Sequence, residues 1–292
     1  MAIHELKAGI PLTAIQSLEE LLGELEEQRL MVLEDKPSAQ AWLVGYFESR
    51  EAARTAWARL VGANRAGLPA GEPEIRELPD TDWKDSYKAH FKAWKFGRLN
   101  WVPVWERAGF VLPAGEEVLW LDPGMAFGTG NHATTRLVVE RLVDFTGKSG
   151  VGGRVIDAGC GAGILALSAA KLGFQRVVAF DNDPVAIEVS EENAGLNGLG
   201  GQVDFYVGDL VTGLAGRQAE LVLANIQADV LMRFVSELCA AVAPGGQLVL
   251  SGILGQELET VRAKFAAAAP GWSVDARVLG EWSDLVFEAP VS

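Results

Sequence analysis

Cysteine and long apolar runs are nearly missing from this 292-residue chain. Its two cysteines, Cys160 and Cys239, form neither a CxxC metal site nor a disulfide framework, and a reducing compartment suits them. Apolar runs such as 238–243 and 265–269 fall far short of the ~20 residues that span a bilayer, and the first residues lack the apolar core of a signal peptide. We therefore expect a cytoplasmic protein without a membrane partner.

Basic residues are in the minority. The chain has 25 Lys and Arg residues against 39 Asp and Glu residues, which gives a formal net charge of −14. Sequence-independent affinity for phosphate backbones comes from clustered Lys and Arg. We therefore expect no direct nucleic-acid binding, and the acidic balance favours a basic protein or a small molecule as partner. With 49% hydrophobic residues, the chain can still bury a substantial core.

Residues 1–79 alternate short apolar strands with two helical patterns. Apolar residues recur every three or four positions after the first strand, which predicts one buried helix face made of Leu12, Ile15, Leu18, Leu22 and Leu25. Strands are predicted at 3–9, 29–35, 40–47 and 73–79, and a second helix at 50–62. The order β-α-β-β-α-β is typical of a small ferredoxin-like α+β domain.

Tryptophans are concentrated between residues 80 and 120, at Trp83, Trp94, Trp101, Trp105 and Trp120. Aromatic residues interleaved with lysines can stack on nucleic-acid bases. In so acidic a chain we favour the interpretation that they pin a connecting segment to the domains on either side. We assign residues 80–97 to a linker and residues 98–292 to a second domain.

From residue 152 onward, strands alternate with helices, which is typical of a parallel sheet covered on both faces. The predicted fold class is α/β, a doubly wound and mostly parallel sheet in a Rossmann-like arrangement. Residues 274–289 are predicted to form a terminal hairpin. In such folds, ligands bind at the carboxyl ends of the strands.

Two of these strand ends carry residues suited to a cofactor. Gly159, Gly161 and Gly163 let a ligand approach the backbone near the positive end of the following helix. Asp181 ends the next strand, where a carboxylate can accept both hydroxyls of a ribose. A nucleoside cofactor is therefore predicted. By spacing alone NAD is an alternative, because Gly161, Gly163 and Ala166 also satisfy the dinucleotide fingerprint.

Three further residues favour a methyltransferase. Asp157 precedes the glycines in D-x-G-C-G-x-G, which resembles the first motif of class I S-adenosylmethionine-dependent methyltransferases. Asp209 ends another strand, where such enzymes often contact the adenine edge. Asn225 resembles the first residue of the Asn-Pro-Pro-Tyr motif of enzymes that methylate nitrogen, although this chain continues as Asn-Ile-Gln.

Longer stretches resemble the PrmA family, bacterial methyltransferases of ribosomal protein L-eleven. They are DPGMAFGTGNHATT (122–135), VIDAGCGAGILALSAAKLG (155–173), FDNDP, LANI and LSGIL, preceded by W-x-x-x-Y-K-x-x-F (83–91). The resemblance runs through most of 80–292. It implies repeated methylation of lysine side chains and of the N-terminal amine of L-eleven, with S-adenosylmethionine as the cofactor and residues 1–79 as the substrate-recognition domain. Tyr87, Asn131, Ala133 and Gln227 depart from the family pattern, which bears on substrate selectivity and leaves the reaction type intact.

The resemblance also implies roles for individual residues. Phe127 and the loop glycines fold over the methionine end of the cofactor, and Thr135 contacts it. The full set of expected cofactor-binding residues is Phe127, Thr134, Thr135, Asp157, Gly159, Gly161, Asp181, Asp209 and Asn225. Asn225 and the main-chain carbonyl of Ile226 are the expected catalytic groups, which accept hydrogen bonds from the amine and aim its lone pair. We expect no metal and a monomeric protein.

Other interpretations stay open beside these. The loop at 122–135 could be a flexible turn in which Thr134 or Thr135 caps a helix, but it lacks the Lys of a P-loop. We interpret His132 as an orienting or structural residue in preference to a general base, and Cys160 as a packing residue. The rival functions are methylation of another amine and NAD-dependent oxidoreduction.

Overall fold

The computed structural model describes residues 3–15, 18, 21–22, 29–35, 40–63, 72–78, 93–122 and 132–291. The chain forms two compact units, Met1–His90 and Phe91–Ser292. The described residues do not include Leu25 or the W-x-x-x-Y-K-x-x-F stretch (83–91). They also leave out residues 123–131, among them Phe127 and Asn131. Among the helices of the described part, none is long and apolar enough to cross a bilayer.

The first unit contains a four-stranded antiparallel sheet with the order β2-β3-β1-β4. Its strands are β1 (Ile3–Ile10), β2 (Leu30–Asp35), β3 (Gln40–Phe47) and β4 (Glu74–Leu78), and helix α1 (Arg50–Ala63) joins β3 to β4. Residues 15, 18, 21 and 22 are helical between β1 and β2. The β-α-β-β-α-β order and the ferredoxin-like strand arrangement predicted from the sequence are confirmed.

Alternation along the strands explains which face this unit buries. Leu6 on β1 and Leu43 on β3 are fully buried, and Leu18 from the helical segment packs in the same core. Leu12 differs from the prediction, because it begins a 3-10 turn (Leu12–Ala14) after Pro11 and is exposed. Among the described residues, the predicted buried face therefore holds at Leu18 and Leu22 and not at Leu12.

The second unit begins with a three-stranded sheet of β5 (Trp94–Phe96), β6 (Leu99–Pro103) and β7 (Glu117–Leu121). Strand β5 lies in the stretch that the sequence assigned to a linker. Trp101 is fully buried, and its indole N–H donates to Ser168 Oγ at 2.9 Å. This tryptophan is therefore a core residue of the second unit and cannot stack on bases.

A seven-stranded sheet dominates the second unit, with the order β10-β9-β8-β11-β12-β14-β13. The strands are β8 (Arg154–Ala158), β9 (Arg176–Asp181), β10 (Val203–Val207), β11 (Ala219–Asn225), β12 (Val242–Leu254), β13 (Ser273–Leu279) and β14 (Trp282–Glu288). The first five in this order are parallel, and β13 and β14 form an antiparallel hairpin at the edge. The doubly wound sheet and the terminal hairpin are confirmed.

Helices follow the strands and cover both faces of this sheet. They are α2 (Ala133–Ser149), α3 (Ile164–Lys171), α4 (Pro184–Leu196), α5 (Ala228–Arg233), α6 (Val235–Ala240) and α7 (Leu258–Ala268). The sequence begins α4 as expected, with Pro184 in the first position and the Asp183 carboxylate accepting from the N–H of Val185 at 2.9 Å. Two separate apolar clusters lie on the two sides of the sheet.

The direction of winding reverses beside β8. The chain moves from β8 to β9 and β10 on one side, and then crosses to β11 and β12 on the other. In doubly wound folds a ligand crevice lies where the connections leave two neighbouring strands in opposite directions, which here is at the carboxyl ends of β8 and β11. The residues of the candidate site follow these strand ends.

Candidate active site

The glycine turn after β8 forms one wall of the crevice. Gly159, Gly161 and Gly163 have φ values of 75°, 52° and 76°, the left-handed region that side chains disfavour. A Cβ at position 159 would lie 2.6 Å from Ile226 Cγ2, and one at position 163 would lie 2.8 Å from Ser190 Oγ. A side chain at either of these two positions would therefore collide with the neighbouring elements, so the turn needs glycine there.

Hydrogen bonds from β9 and α4 fix the shape of this turn. The N–H groups of Gly159 and Cys160 both donate to the carbonyl of Phe180, at 2.9 and 3.0 Å. From α4, Ser190 Oγ donates to the carbonyl of Gly161 at 2.8 Å, and Asn193 Nδ2 donates to the carbonyl of Ala162 at 3.0 Å. The turn is thus rigidly positioned at the end of β8.

Asp181 at the end of β9 faces the glycine turn. Its Oδ2 accepts from the N–H of Gly161 at 2.9 Å, and its Oδ1 accepts from the N–H of Asp183 at 3.0 Å. Each carboxylate oxygen has a second lone pair. A carboxylate fixed in this way can accept hydrogen bonds from two neighbouring hydroxyl groups, such as those of a ribose.

Asp157 lies beneath the turn and is 1% exposed. Its Oδ2 accepts from the N–H of Ala166 at 3.0 Å, whereas Oδ1 has no hydrogen-bond partner. Burial, with a smaller contribution from the negative charge of Asp181, raises the pKa of this carboxyl to about 7. A buried oxygen without a donor is costly, so this position suits a ligand that brings a cation or an N–H group.

Asp209 follows β10 and is exposed. Its Oδ1 caps its own turn by accepting from the N–H groups of Val211 and Thr212 and from Thr212 Oγ1, at 3.0, 2.7 and 2.8 Å. The bonds from Thr212 lower the pKa of the Asp209 carboxyl. An adenine contact, as the sequence leads us to expect, would therefore involve Oδ2.

Asn225 ends β11, Ile226 follows it, and the pair lies opposite the glycine turn. Asn225 Nδ2 donates to Thr135 Oγ1 at 3.3 Å, and Ile226 packs over Gly159. The backbone of Ile226 also lies close to Gly252, whose φ of 82° suits glycine, and a Cβ there would collide with the Ile226 carbonyl oxygen. The structure therefore brings Asn225 and Ile226, the expected catalytic pair, next to the glycine turn.

The first turn of α2 meets the same strand ends. Thr134 and Thr135 are both buried, and His132, which precedes the helix as its N-cap, shares a 2.8 Å hydrogen bond between Nδ1 and Thr134 Oγ1. Ser251 Oγ donates to the carbonyl of Thr134 at 3.3 Å. Neither threonine is the N-cap of α2, so the interpretation of one of them as a simple capping residue is wrong.

His132 packs edge-on against Trp282, with ring centroids 4.9 Å apart. Burial lowers the pKa of His132, although the charge of Glu281 acts in the opposite direction. The imidazole is therefore neutral at pH 7. Its contacts with Thr134 and Trp282 agree with the interpretation of His132 as an orienting or structural residue.

Cys160 is buried in the turn, with Sγ 3.8 Å from Ser190 Oγ. Burial raises the pKa of this thiol well above its usual range, so it stays protonated and unreactive. In the described part of the chain, no group of three or more His, Cys, Asp or Glu side chains gathers as a potential metal site.

Sequence reasoning missed the residues that support the turn. Ser190 and Asn193 come from α4, about thirty positions away from the glycines. One signal was available, since Ser190 is a polar residue in the apolar pattern of α4 and is fully buried. A buried hydroxyl needs a partner, and the glycine turn is the segment on which α4 packs.

The seven-stranded sheet with its antiparallel edge, the glycine turn above a buried Asp and the Asn at the end of β11 define a class I methyltransferase. A family model described as "Ribosomal protein L11 methyltransferase (PrmA)" matches residues 7–290, and the chain belongs to this family. The NAD-dependent alternative has no support from this assignment.

Individual relatives agree with the family. A ribosomal protein L11 methyltransferase of Geobacter metallireducens is 43% identical over 220 residues, which cover 74% of this chain and 69% of the relative. That of Pseudomonas aeruginosa is 41% identical over 227 residues, 77% of this chain and 74% of the relative. The crystal structure of a ribosomal protein L11 methylase from Lactobacillus delbrueckii matches 68% of this chain and all of its own, with 30% identity and a TM-score of 0.58.

Proposed function

We propose that this protein transfers methyl groups from S-adenosylmethionine to lysine side chains and the N-terminal amine of ribosomal protein L11. The observation that carries the proposal is the position of the Asn225–Ile226 pair directly against the glycine turn, where Ile226 touches Gly159. Cofactor and acceptor groups are thereby adjacent. The names of the relatives and of the matching family support L11 as the substrate.

The cofactor supplies an electrophilic methyl group on a sulfonium sulfur. Asp181 would hold the ribose hydroxyls, and Asp209 would contact the adenine through Oδ2. The partnerless Oδ1 of Asp157 fits the positively charged amino acid end of the cofactor, because a cation or its N–H groups would relieve the cost of that buried oxygen. Gly159 and Gly161 keep side chains out of the space, while Thr134, Thr135 and Phe127 complete the expected cofactor-binding set.

The acceptor amine must present a lone pair to the methyl group. A lysine with a pKa near 10.4 is protonated at pH 7, and removing that proton costs about 4.6 kcal/mol. Burial in the crevice lowers this cost. Asn225 Oδ1 and the Ile226 carbonyl accept hydrogen bonds from the neutral amine and aim its lone pair, and no strong base is then needed because the proton leaves to water.

The first unit would capture the substrate, as the resemblance implied for residues 1–79, with 80–97 as the link to the catalytic part. Its sheet has one face that carries exposed apolar side chains, with Met31 and Leu33 on β2 and Tyr46 on β3 each more than a third exposed. Exposed apolar side chains on a single face are typical of protein-binding surfaces.

The test is intact-mass spectrometry of the matching ribosomal protein L11 after incubation with the enzyme and S-adenosylmethionine. We expect mass increments of whole methyl groups, mapped by peptide analysis to lysine and N-terminal amines. L11 with chemically blocked amines is the control and should gain nothing. If unblocked L11 gains no methyl group in a preparation that binds the cofactor by calorimetry, the substrate assignment is wrong.

Cofactor affinity should depend on pH through Asp157. The pKa of this carboxyl is about 7 in the free protein, with Asp181 and Cys160 as the neighbouring titratable groups. A cationic ligand prefers the ionised carboxylate, so its binding releases a proton and strengthens as the pH rises. Between pH 5.5 and 7 we expect the affinity for S-adenosylmethionine to increase about tenfold in calorimetric titrations.

Two variants check the origin of this dependence. Asp157→Asn should bind more weakly at pH 7 and lose the increase with pH. Asp204→Asn, the same substitution at an exposed position of β10 in the same sheet, should retain the wild-type profile. A flat wild-type profile, or an unchanged profile in Asp157→Asn, would rule out this role.

A further inference from the structure

Thr135 differs from the other expected cofactor residues because its side chain bonds to a proposed catalytic group. Its hydroxyl accepts from Asn225 Nδ2 at 3.3 Å, across ninety positions of sequence. Thr135 is 4% exposed, so bulk water cannot easily replace this contact. An amide has one donor end and one acceptor end, and a bond to the donor end fixes which way the acceptor end points.

We propose that Thr135 is a positioning residue that holds the Asn225 amide with Oδ1 toward the acceptor amine. The inference rests on the proposed role of Asn225. In the opposite orientation, Asn225 would present two N–H donors to an amine that needs an acceptor for its remaining protons. With the Thr135 hydroxyl accepting from Nδ2, the amide is anchored at its donor end and Oδ1 is left for the amine.

The position of Thr135 is itself fixed by the strand ends around it. Ser251 on β12 bonds to the carbonyl of Thr134, and His132 bonds to the Thr134 side chain, so the first turn of α2 is held from two directions. Further along α2, Arg141 forms ion pairs with Asp284 on β14. Because the helix is anchored in this way, the Thr135 hydroxyl has a fixed position and can hold the neighbouring Asn225 side chain in one orientation.

The experiment compares the wild type with Thr135→Val, Thr135→Ser, Asn225→Ala and the double variant Thr135→Val/Asn225→Ala. Valine keeps the branched shape of threonine and removes the hydroxyl. We expect Thr135→Val to lower kcat on L11 about five- to twentyfold, the effect of one lost neutral hydrogen bond, and to raise the cofactor Kd by a smaller factor. Thr135→Ser should restore most of the turnover.

The double variant separates positioning from any direct contact with the cofactor. Thr135 acts through Asn225, so Thr135→Val should cause no further loss in the Asn225→Ala background, measured in single turnovers. Thr146→Val makes the same substitution in the last part of α2, where the hydroxyl donates to the carbonyl of Val143, and should leave kcat unchanged. Melting temperatures check folding, and Thr135→Ala replaces the valine variant if that one does not fold.

Each other outcome has a distinct meaning. Losses that multiply in the double variant, or a raised cofactor Kd with an intact kcat, would overturn the positioning role and leave Thr135 as a cofactor contact. Unchanged turnover in Thr135→Val with a strong loss in Asn225→Ala would overturn the inference alone. Unchanged turnover in Asn225→Ala would instead remove the proposed catalytic role on which the inference rests.

Discussion

Replacing Asn225 by Ala should lower kcat on ribosomal protein L11 by about a hundredfold or more, with a much smaller change in cofactor affinity. The side chain lies at the end of β11 beside the glycine turn, and its Nδ2 is already bonded to Thr135. Oδ1 is then the atom that can hold the amine in line with the methyl group. Removal of a single oriented polar group that acts in the transition state commonly costs 10²–10³ in rate.

The measurement is kcat from a mass-based methylation assay, with the cofactor Kd obtained separately by calorimetry. Gln218→Ala is the matched control, because it removes an amide just before β11, at the opposite end of that strand from Asn225. The control should keep wild-type kcat. Wild-type turnover in Asn225→Ala would show that the amide does not position the acceptor, whatever the cofactor affinity.

Local spacing was enough to predict one half of the site. Asp157, the glycine turn and Asp181 belong to two successive β-α units, and their chain order already places them at adjacent strand ends. The positive φ values of Gly159 and Gly161 and the bond from Gly161 to Asp181 agree with that expectation. Their individual roles toward the cofactor stay predictions.

The other half depends on contacts between distant parts of the chain. Thr135 and Asn225 are ninety residues apart and meet only because α2 packs against β12 and β14 while β11 lies between β8 and β12. Periodicity identifies helices and strands but does not give the order of strands in a sheet. The bond between these two side chains therefore had no signature in the sequence.

Side-chain partners were also beyond sequence reasoning. Thr134 and Thr135 are neighbours, yet one hydroxyl bonds to His132 and the other to Asn225. The tryptophan-rich segment shows the same limit, since composition allowed Trp101 to stack on a base or to pack inside, and only its full burial decides for packing. The sequence pattern predicts which face of a helix or strand is buried. The hydrogen-bond partner of each side chain depends on how the elements pack in the tertiary structure.

The Arg141 ion pairs connect α2 to the terminal hairpin. The Arg141 side chain is 7% exposed, and its guanidinium donates to both oxygens of fully buried Asp284 on β14, with Nε–Oδ2 at 2.8 Å and Nη2–Oδ1 at 2.7 Å. Asp275 on β13 is a third contact, and it is more exposed. A bidentate arginine is the geometry in which a buried pair compensates best for the loss of water.

Replacing Arg141 by Met should lower the free energy of unfolding by about 3–5 kcal/mol, because Asp284 would stay buried without its cation. The N–H of Arg277, at 2.8 Å from Asp284 Oδ1, compensates only in part, since it carries no full charge. Urea unfolding followed by tryptophan fluorescence measures the change. Arg233→Met removes an exposed arginine that faces Asp229 one helical turn away and should cost less than about 1 kcal/mol.

A second substitution distinguishes the lost ion pair from lost packing. In Arg141→Met/Asp284→Asn the buried negative charge is gone, so we expect the double variant to be more stable than Arg141→Met alone. If both variants are equally unstable, the cost comes from the missing contacts of the guanidinium stem and not from the stranded carboxylate. Recovery in the double variant would show that charge neutralisation by Arg141 is what allows Asp284 to lie inside, and hence what joins α2, with Thr135 in its first turn, to the edge of the sheet.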